Sequence, residues 1–139
     1  MMAGPRQARS PIAVAGAAAI ILALAMSLAA CGGGGLGLDH APASLDPASP
    51  TLAAQDIAFD KAELGVPGGR PFILVFENRE SAPHNVSIYT DASHQQKLFE
   101  GVVVTGPATR WYPVPALAPG SYVFVCDVHP TMTGRLVAS

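Results

Sequence analysis

Four side chains in this sequence could hold a soft metal ion together. They are His84, Cys126, His129 and Met132. Cys126, His129 and Met132 follow one another at steps of three inside the stretch Cys126-Asp127-Val128-His129-Pro130-Thr131-Met132, and His84 stands about forty residues upstream. One thiolate, two imidazoles and one thioether form the donor set of a trigonal copper site with a weak axial thioether. A soft thiolate and thioether favour Cu(I), whereas imidazole accepts both oxidation states. A rigid compromise between the two changes little when an electron moves. In such a set Cys126 is the strong ligand, His84 and His129 complete the plane, and Met132 is the weak axial ligand.

The elements flanking these residues must aim them at one point. Tyr122 to Val125 is an apolar, strand-like run ending at Cys126, and Gly134 to Ala138 reads as the next strand. A hairpin loop between them presents three donors from one side, and His84 must arrive from a different strand. Residues two apart in a strand share a face. His84 therefore lies on the side of Val86 and Ile88, Cys126 lies on the side of Tyr122 and Phe124, and both patterns point to the inner end of a strand. Asn85, Ser87 and Tyr89 fall on the opposite face from His84.

These motifs resemble the cupredoxins, the family of plastocyanin and amicyanin. The matching pieces are Pro83-His84-Asn85-Val86, Pro119 through Cys126, and His129-Pro130-Thr131-Met132-Thr133-Gly134. The short Cys-x-x-His-x-x-Met loop is most similar to that of amicyanin, and the likeness spans Thr51 to Ser139. The resemblance implies a Greek-key β-sandwich and one mononuclear type 1 copper ion. It also implies single-electron transfer between extracytoplasmic redox partners. By the same resemblance, Asn85 ties the two ligand-bearing loops together, and groups in that position orient ligands and tune the metal.

The rest of the chain is consistent with an all-β domain. Strand-like runs cover Thr51–Phe59, Pro71–Glu77, His84–Thr90, Leu98–Val104, Thr109–Val114, Tyr122–Cys126 and Gly134–Ala138, with Gly65–Gly69 and Pro115–Gly120 as turns. No segment after residue 50 shows a sustained helical period. Short strands at this spacing, separated by Gly and Pro, predict a sandwich or barrel. Of Trp111 and Tyr112, one is expected in the core.

The N-terminus is organised differently. Arg6 and Arg9 precede an Ala-rich apolar run from Ile12 to Ala30, which ends in Leu28-Ala29-Ala30-Cys31. This resembles a bacterial lipoprotein signal peptide, which implies cleavage before Cys31 and lipid on its thiol. Such segments do not belong to the fold. The rival reading is an uncleaved membrane helix with its positive flank on the cytoplasmic side. Either places the domain outside the cytoplasm, on a membrane. Residues 1–30 are thus read as signal, 31–50 as a lipidated cysteine with a flexible Gly/Ala/Pro tether, and 51–139 as the copper-binding domain. About twenty residues of flexible coil reach roughly 25 Å.

Composition excludes other classes. The charges are scattered and the net charge is −2, so nucleic-acid binding has no support. The two cysteines, Cys31 and Cys126, are both committed to other roles, which leaves no disulfide. No nucleophile–base–acid set is visible, so the chain reads as no enzyme. His40 lies in the tether and His94 in the polar stretch Asp91 to Lys97, so neither can build the second centre of a copper oxidase. Asp127 reads as a solvated loop carboxylate. Two alternatives to electron carriage remain open at this point. One is an extracytoplasmic copper-binding and delivery protein, which the same ligands would serve. The other is a metal-free cupredoxin-like binding module.

Overall fold

The computed structural model describes Met1 and residues 35–139. The signal segment and Cys31 lie outside the described residues. Among the described residues there are eleven strands: β1 (Thr51–Gln55), β2 (Ala58–Phe59), β3 (Glu63–Val66), β4 (Phe72–Asn78), β5 (Pro83–His84), β6 (Ser87–Tyr89), β7 (Lys97–Glu100), β8 (Val104–Thr105), β9 (Ala108–Val114), β10 (Gly120–Val125) and β11 (Thr133–Ala138). One sheet has the order β2-β1-β4-β9, the other β3-β11-β10-β6-β7, and β5 pairs with β8. The chain crosses between the two large sheets at β2–β3, β3–β4, β4–β6, β7–β9 and β9–β10, the path expected of a Greek key. The all-β sandwich read from the sequence is the observed fold. Among the described residues no helix is long and apolar enough to cross a membrane.

Alternation places the core. In β4 the side chains of Phe72, Leu74, Phe76 and Asn78 are buried while the residues between them are half-buried. Leu52, Tyr112 and Val114 join them from the first sheet, and Ile88, Phe99, Phe124 and Leu136 face them from the second. Each large apolar side chain buried in this way contributes about 1.5–3 kcal/mol. Phe76 stacks on Tyr112 at 5.5 Å, and Phe59 meets Phe124 edge-on at 5.2 Å. Tyr112 is the core member of the Trp111–Tyr112 pair, and its hydroxyl donates to Val102 O at 2.8 Å.

Four elements differ from the sequence reading. The run 51–59 turns back at Asp56–Ile57 into the antiparallel pair β1 and β2. Gly65 and Val66 belong to β3, which runs parallel to β11 with Leu64 opposite Leu136, so the turn begins only at Pro67. The run 84–90 breaks into β5 and β6, because His84 pairs with Val104 whereas Ser87 pairs with Val125 and Glu100. The run 98–104 divides for the same reason into β7 and β8.

The expectation of a free tether over 31–50 also fails for part of its described stretch. Leu36 and Leu38 form isolated bridges to Gly101 and Trp111. Glycine-rich sequence signals freedom, but here the glycines let the chain lie close against the sandwich.

Candidate metal centre

The loop between β10 and β11 is wound by its own backbone. His129 N–H donates to Cys126 O at 3.2 Å, Met132 N–H donates to His129 O at 2.8 Å, and Cys126 N–H donates to Met132 O at 3.0 Å. These two successive turns of three residues turn Cys126, His129 and Met132 to one side. Thr133 adds a hydroxyl bond to Phe124 O at 3.1 Å, which pins the loop's exit. His84 arrives from β5, held against Val104 of β8.

The structure brings His84, Cys126 and His129 together in a cluster. Cys126 Sγ stands 3.7 Å from His84 Nδ1 and 3.9 Å from His129 Nδ1, and the two Nδ1 atoms are 3.2 Å apart. The point equidistant from these three donors lies about 2.1 Å from each, within the range of about 2.0–2.3 Å that imidazole nitrogen and thiolate sulfur take to a late first-row ion such as zinc. Met132 lies in the same loop and is 2% exposed. His84 and Cys126 are fully buried and His129 is half-buried. Three converging N and S donors with a buried thioether in their loop fit one copper ion of the type 1 kind. Cys126 is a free thiol.

Second-layer contacts fix the imidazole of His84. With Nδ1 turned to the site, its Nε2–H donates to Glu80 Oε1 at 2.8 Å. A carboxylate behind a ligating histidine sets its tautomer and raises its basicity. The same Oε1 accepts the Ile57 backbone N–H at 2.9 Å. The Ile57 bond, opposed by a smaller burial effect and helped by His84, holds the Glu80 carboxyl below its usual range. Asp56 and Ile57 both have positive φ, 54° and 55°, in the two-residue turn joining β1 to β2. A β-branched residue adopts this conformation rarely. The strained peptide is thus spent on the carboxylate that positions His84. Sequence reasoning missed Glu80, because the contact depends on loop geometry and not on a regular period.

Asn85 joins the two ligand-bearing segments. Its Oδ1 accepts the Asp127 N–H at 2.8 Å, and its Nδ2 donates to Gly101 O and to Asp127 Oδ2, each at 3.1 Å. Replacing it with alanine leaves the Asp127 N–H and the Gly101 carbonyl without these partners. Asn85→Ala is therefore expected to lower copper affinity about 10–100-fold and to move the reduction potential, while the visible spectrum survives. Equilibrium copper competition and a redox titration measure both, and a variant devoid of all copper would contradict the role.

Asp127 is not the solvated loop carboxylate that the sequence suggested. It accepts from Ser87 Oγ, from Tyr89 OH at 2.8 Å and from Lys97 Nζ at 3.0 Å, besides Asn85. Partial burial pushes its pKa up, but the bonds from Ser87, Tyr89, Asn85 and Lys97 outweigh this and hold the carboxyl below its usual range. His40 and His94 are exposed, as expected, and neither joins the donor cluster.

Comparison with known proteins agrees with this architecture. A family model described as a cupredoxin-like domain matches residues 16–138. No curated protein matches the chain. Among solved structures it is similar to auracyanin A, a "blue" copper protein from Chloroflexus aurantiacus, with 22% identity and a TM-score of 0.55 over 64% of this chain and 96% of that one. It is similar to an auracyanin from Roseiflexus castenholzii, with 21% identity and a TM-score of 0.55 over 64% of this chain and 94% of the other. It is also similar to amicyanin from Paracoccus versutus, with 19% identity and a TM-score of 0.54 over 78% and 94%. At these identities the structural likenesses establish the fold.

Proposed function

The chain belongs to the cupredoxin-like family, and on that premise we propose that it carries single electrons outside the cytoplasm on one copper ion held by His84, Cys126, His129 and Met132. The observation that carries this reading is the donor triangle of 3.2, 3.7 and 3.9 Å at the inner ends of two strands. A bound copper ion supplies a one-electron couple between Cu(I) and Cu(II). The protein's own groups keep the donors still. Glu80 fixes the His84 ring, Asn85 locks the two loops together, and the wound backbone of 126–132 sets the spacing. Full burial of Cys126 keeps water from the thiolate.

His129 reaches the surface of this pole, flanked by Val128, which is 40% exposed, and by Pro130, which is exposed. An apolar rim around a half-buried imidazole is suited to brief docking of redox partners, with the electron leaving through the ring edge. Pro130→Asp should slow electron self-exchange between two copies about tenfold, because like charges then face one another across the contact. The visible spectrum should stay as it was. Unchanged exchange, measured by NMR line broadening in mixtures of the two oxidation states, would count against this surface.

On this reading the domain is anchored through lipid on Cys31, in the periplasm or at the cell surface, and its donor and acceptor are extracytoplasmic redox proteins. Reversible one-electron titration tests carriage against copper delivery. Repeated cycles without copper loss support a carrier. Ready transfer of the ion to a chelating acceptor on reduction would move the function to delivery. Mass spectrometry of the membrane fraction tests the anchor, which predicts a diacylglycerol mass on Cys31.

A further inference from the structure

The segment following Cys31 does more than connect. Leu36 N–H donates to Glu100 O at 2.7 Å, and Val102 N–H donates to Leu36 O at 3.1 Å. Two residues on, Leu38 N–H donates to Trp111 O at 2.9 Å, and Trp111 N–H returns to Leu38 O at 3.3 Å. Asp39 then pairs with Arg110 at 3.1 Å. β7 and β9 are edge strands of different sheets, so this strap crosses the open side of the sandwich from one sheet to the other. Its glycines permit the approach. A Cβ on Gly37 would stand 2.6 Å from Val102 Cγ1 and 3.1 Å from the Tyr112 ring, and one on Gly35 would collide with the Gly101 backbone.

The strap runs toward the metal end: it is parallel to the chain that leaves β7 for Val104 and antiparallel to β9, whose first residue stands opposite Asn78. Gly101, bridged by Leu36, is the residue whose carbonyl accepts the Asn85 amide. Cys31 stands five positions before Leu36, and five residues of fully extended chain span at most about 18 Å. Beside this point three large apolar side chains face solvent: Leu36 at 55%, Leu38 at 37% and Val103 at 49% exposure. Apolar side chains gathered where a lipid-bearing chain reaches the domain suit the boundary between headgroups and acyl chains.

We propose that residues 35–39 lay the β7–β9 edge of the sandwich on the lipid surface, with Leu36, Leu38 and Val103 as the contacting ledge. The occupant of this ledge is the bilayer. The inference rests on Cys31 carrying lipid. It replaces a domain swinging on a leash of about twenty residues with one that lies on its side, its metal pole held at the height of the membrane surface.

Trp111 is the sole tryptophan and is bonded to the strap, so it reports the orientation. The test uses the lipidated, copper-loaded protein, kept reduced, on vesicles of phosphatidylcholine and phosphatidylglycerol with a nitroxide on a fraction of the headgroups. The nitroxide should lower Trp111 emission about twofold, since the ledge places the ring near the headgroup layer. In the Leu36→Asp, Leu38→Asp double variant, floated to the same extent, most of that quenching should vanish. Val103→Asp leaves the strap's own chain untouched and should reduce quenching in the same direction. Equal quenching in all three floated proteins, or none in the wild type, would overturn the orientation while leaving the anchor standing. Failure of the wild type to float would overturn the anchor, and the orientation with it.

Discussion

Cys126→Ser should abolish the intense visible absorption and weaken copper binding by several orders of magnitude. The thiolate is the only soft anionic donor in the cluster, and serine's hydroxyl remains protonated near neutral pH. The sulfur is also the one donor that touches both imidazoles, at 3.7 and 3.9 Å. Without it, His84 and His129 form a pair of the kind that binds Cu(II) weakly and gives only pale ligand-field bands. The fold should persist, because Cys126 contributes little volume to a core built around Phe76, Tyr112 and Phe124. Titration with Cu(II) against a competing chelator, with circular dichroism as a control for folding, measures this. A serine variant that kept the strong band would mean that the chromophore lies elsewhere.

Asn78→Ala should cause the largest loss of stability among the polar substitutions. The side chain is buried at the end of β4, and its Nδ2 donates to Ala82 O at 2.7 Å and to Val104 O at 2.8 Å. Its Oδ1 accepts the Glu80 N–H at 3.0 Å. Alanine strands two carbonyls and one N–H, each costing about 1–3 kcal/mol where water cannot replace the partner. A loss of about 3 kcal/mol follows, or roughly 12–24 °C in the melting temperature of a domain near 100 residues. The loop so loosened carries Glu80 and leads into His84, so copper affinity should fall along with stability. Urea denaturation of the copper-free protein isolates the folding term. A change below about 1 kcal/mol, the usual size for a surface substitution, would show that the loop is held by other contacts.

How far the site was legible follows from where its partners lie in the chain. Cys126, His129 and Met132 are local, and their types and spacing carry the chemistry without knowledge of the fold. His84 was reachable because strand alternation put it on the face of Val86 and Ile88, and all three are buried. Asp127 was misread because its partners come from positions 85 to 97. The signal was nonetheless there: Asn85, Ser87 and Tyr89 fall on one side of the run 84–90. Asp127 accepts from all three. Glu80 and the strained Asp56–Ile57 turn had no comparable signal, since their meeting depends on the parallel pairing of β1 with β4. β3 was missed because Gly65 and Val66 run straight into Pro67-Gly68-Gly69, whose residues read as a turn, although Leu64 and Val66 alternate inward about Gly65. The strap was taken for a leash because glycine reads as freedom until the surface that it must approach is known.

Visible absorption and electron paramagnetic resonance would show whether His84, Cys126, His129 and Met132 build a type 1 copper centre. The purified protein is measured after addition of one equivalent of Cu(II). An intense blue thiolate-to-copper band and a narrow copper hyperfine splitting are expected, both saturating at one ion per chain. A pale protein with a wide splitting, or one that releases its copper to a weak chelator, would contradict it.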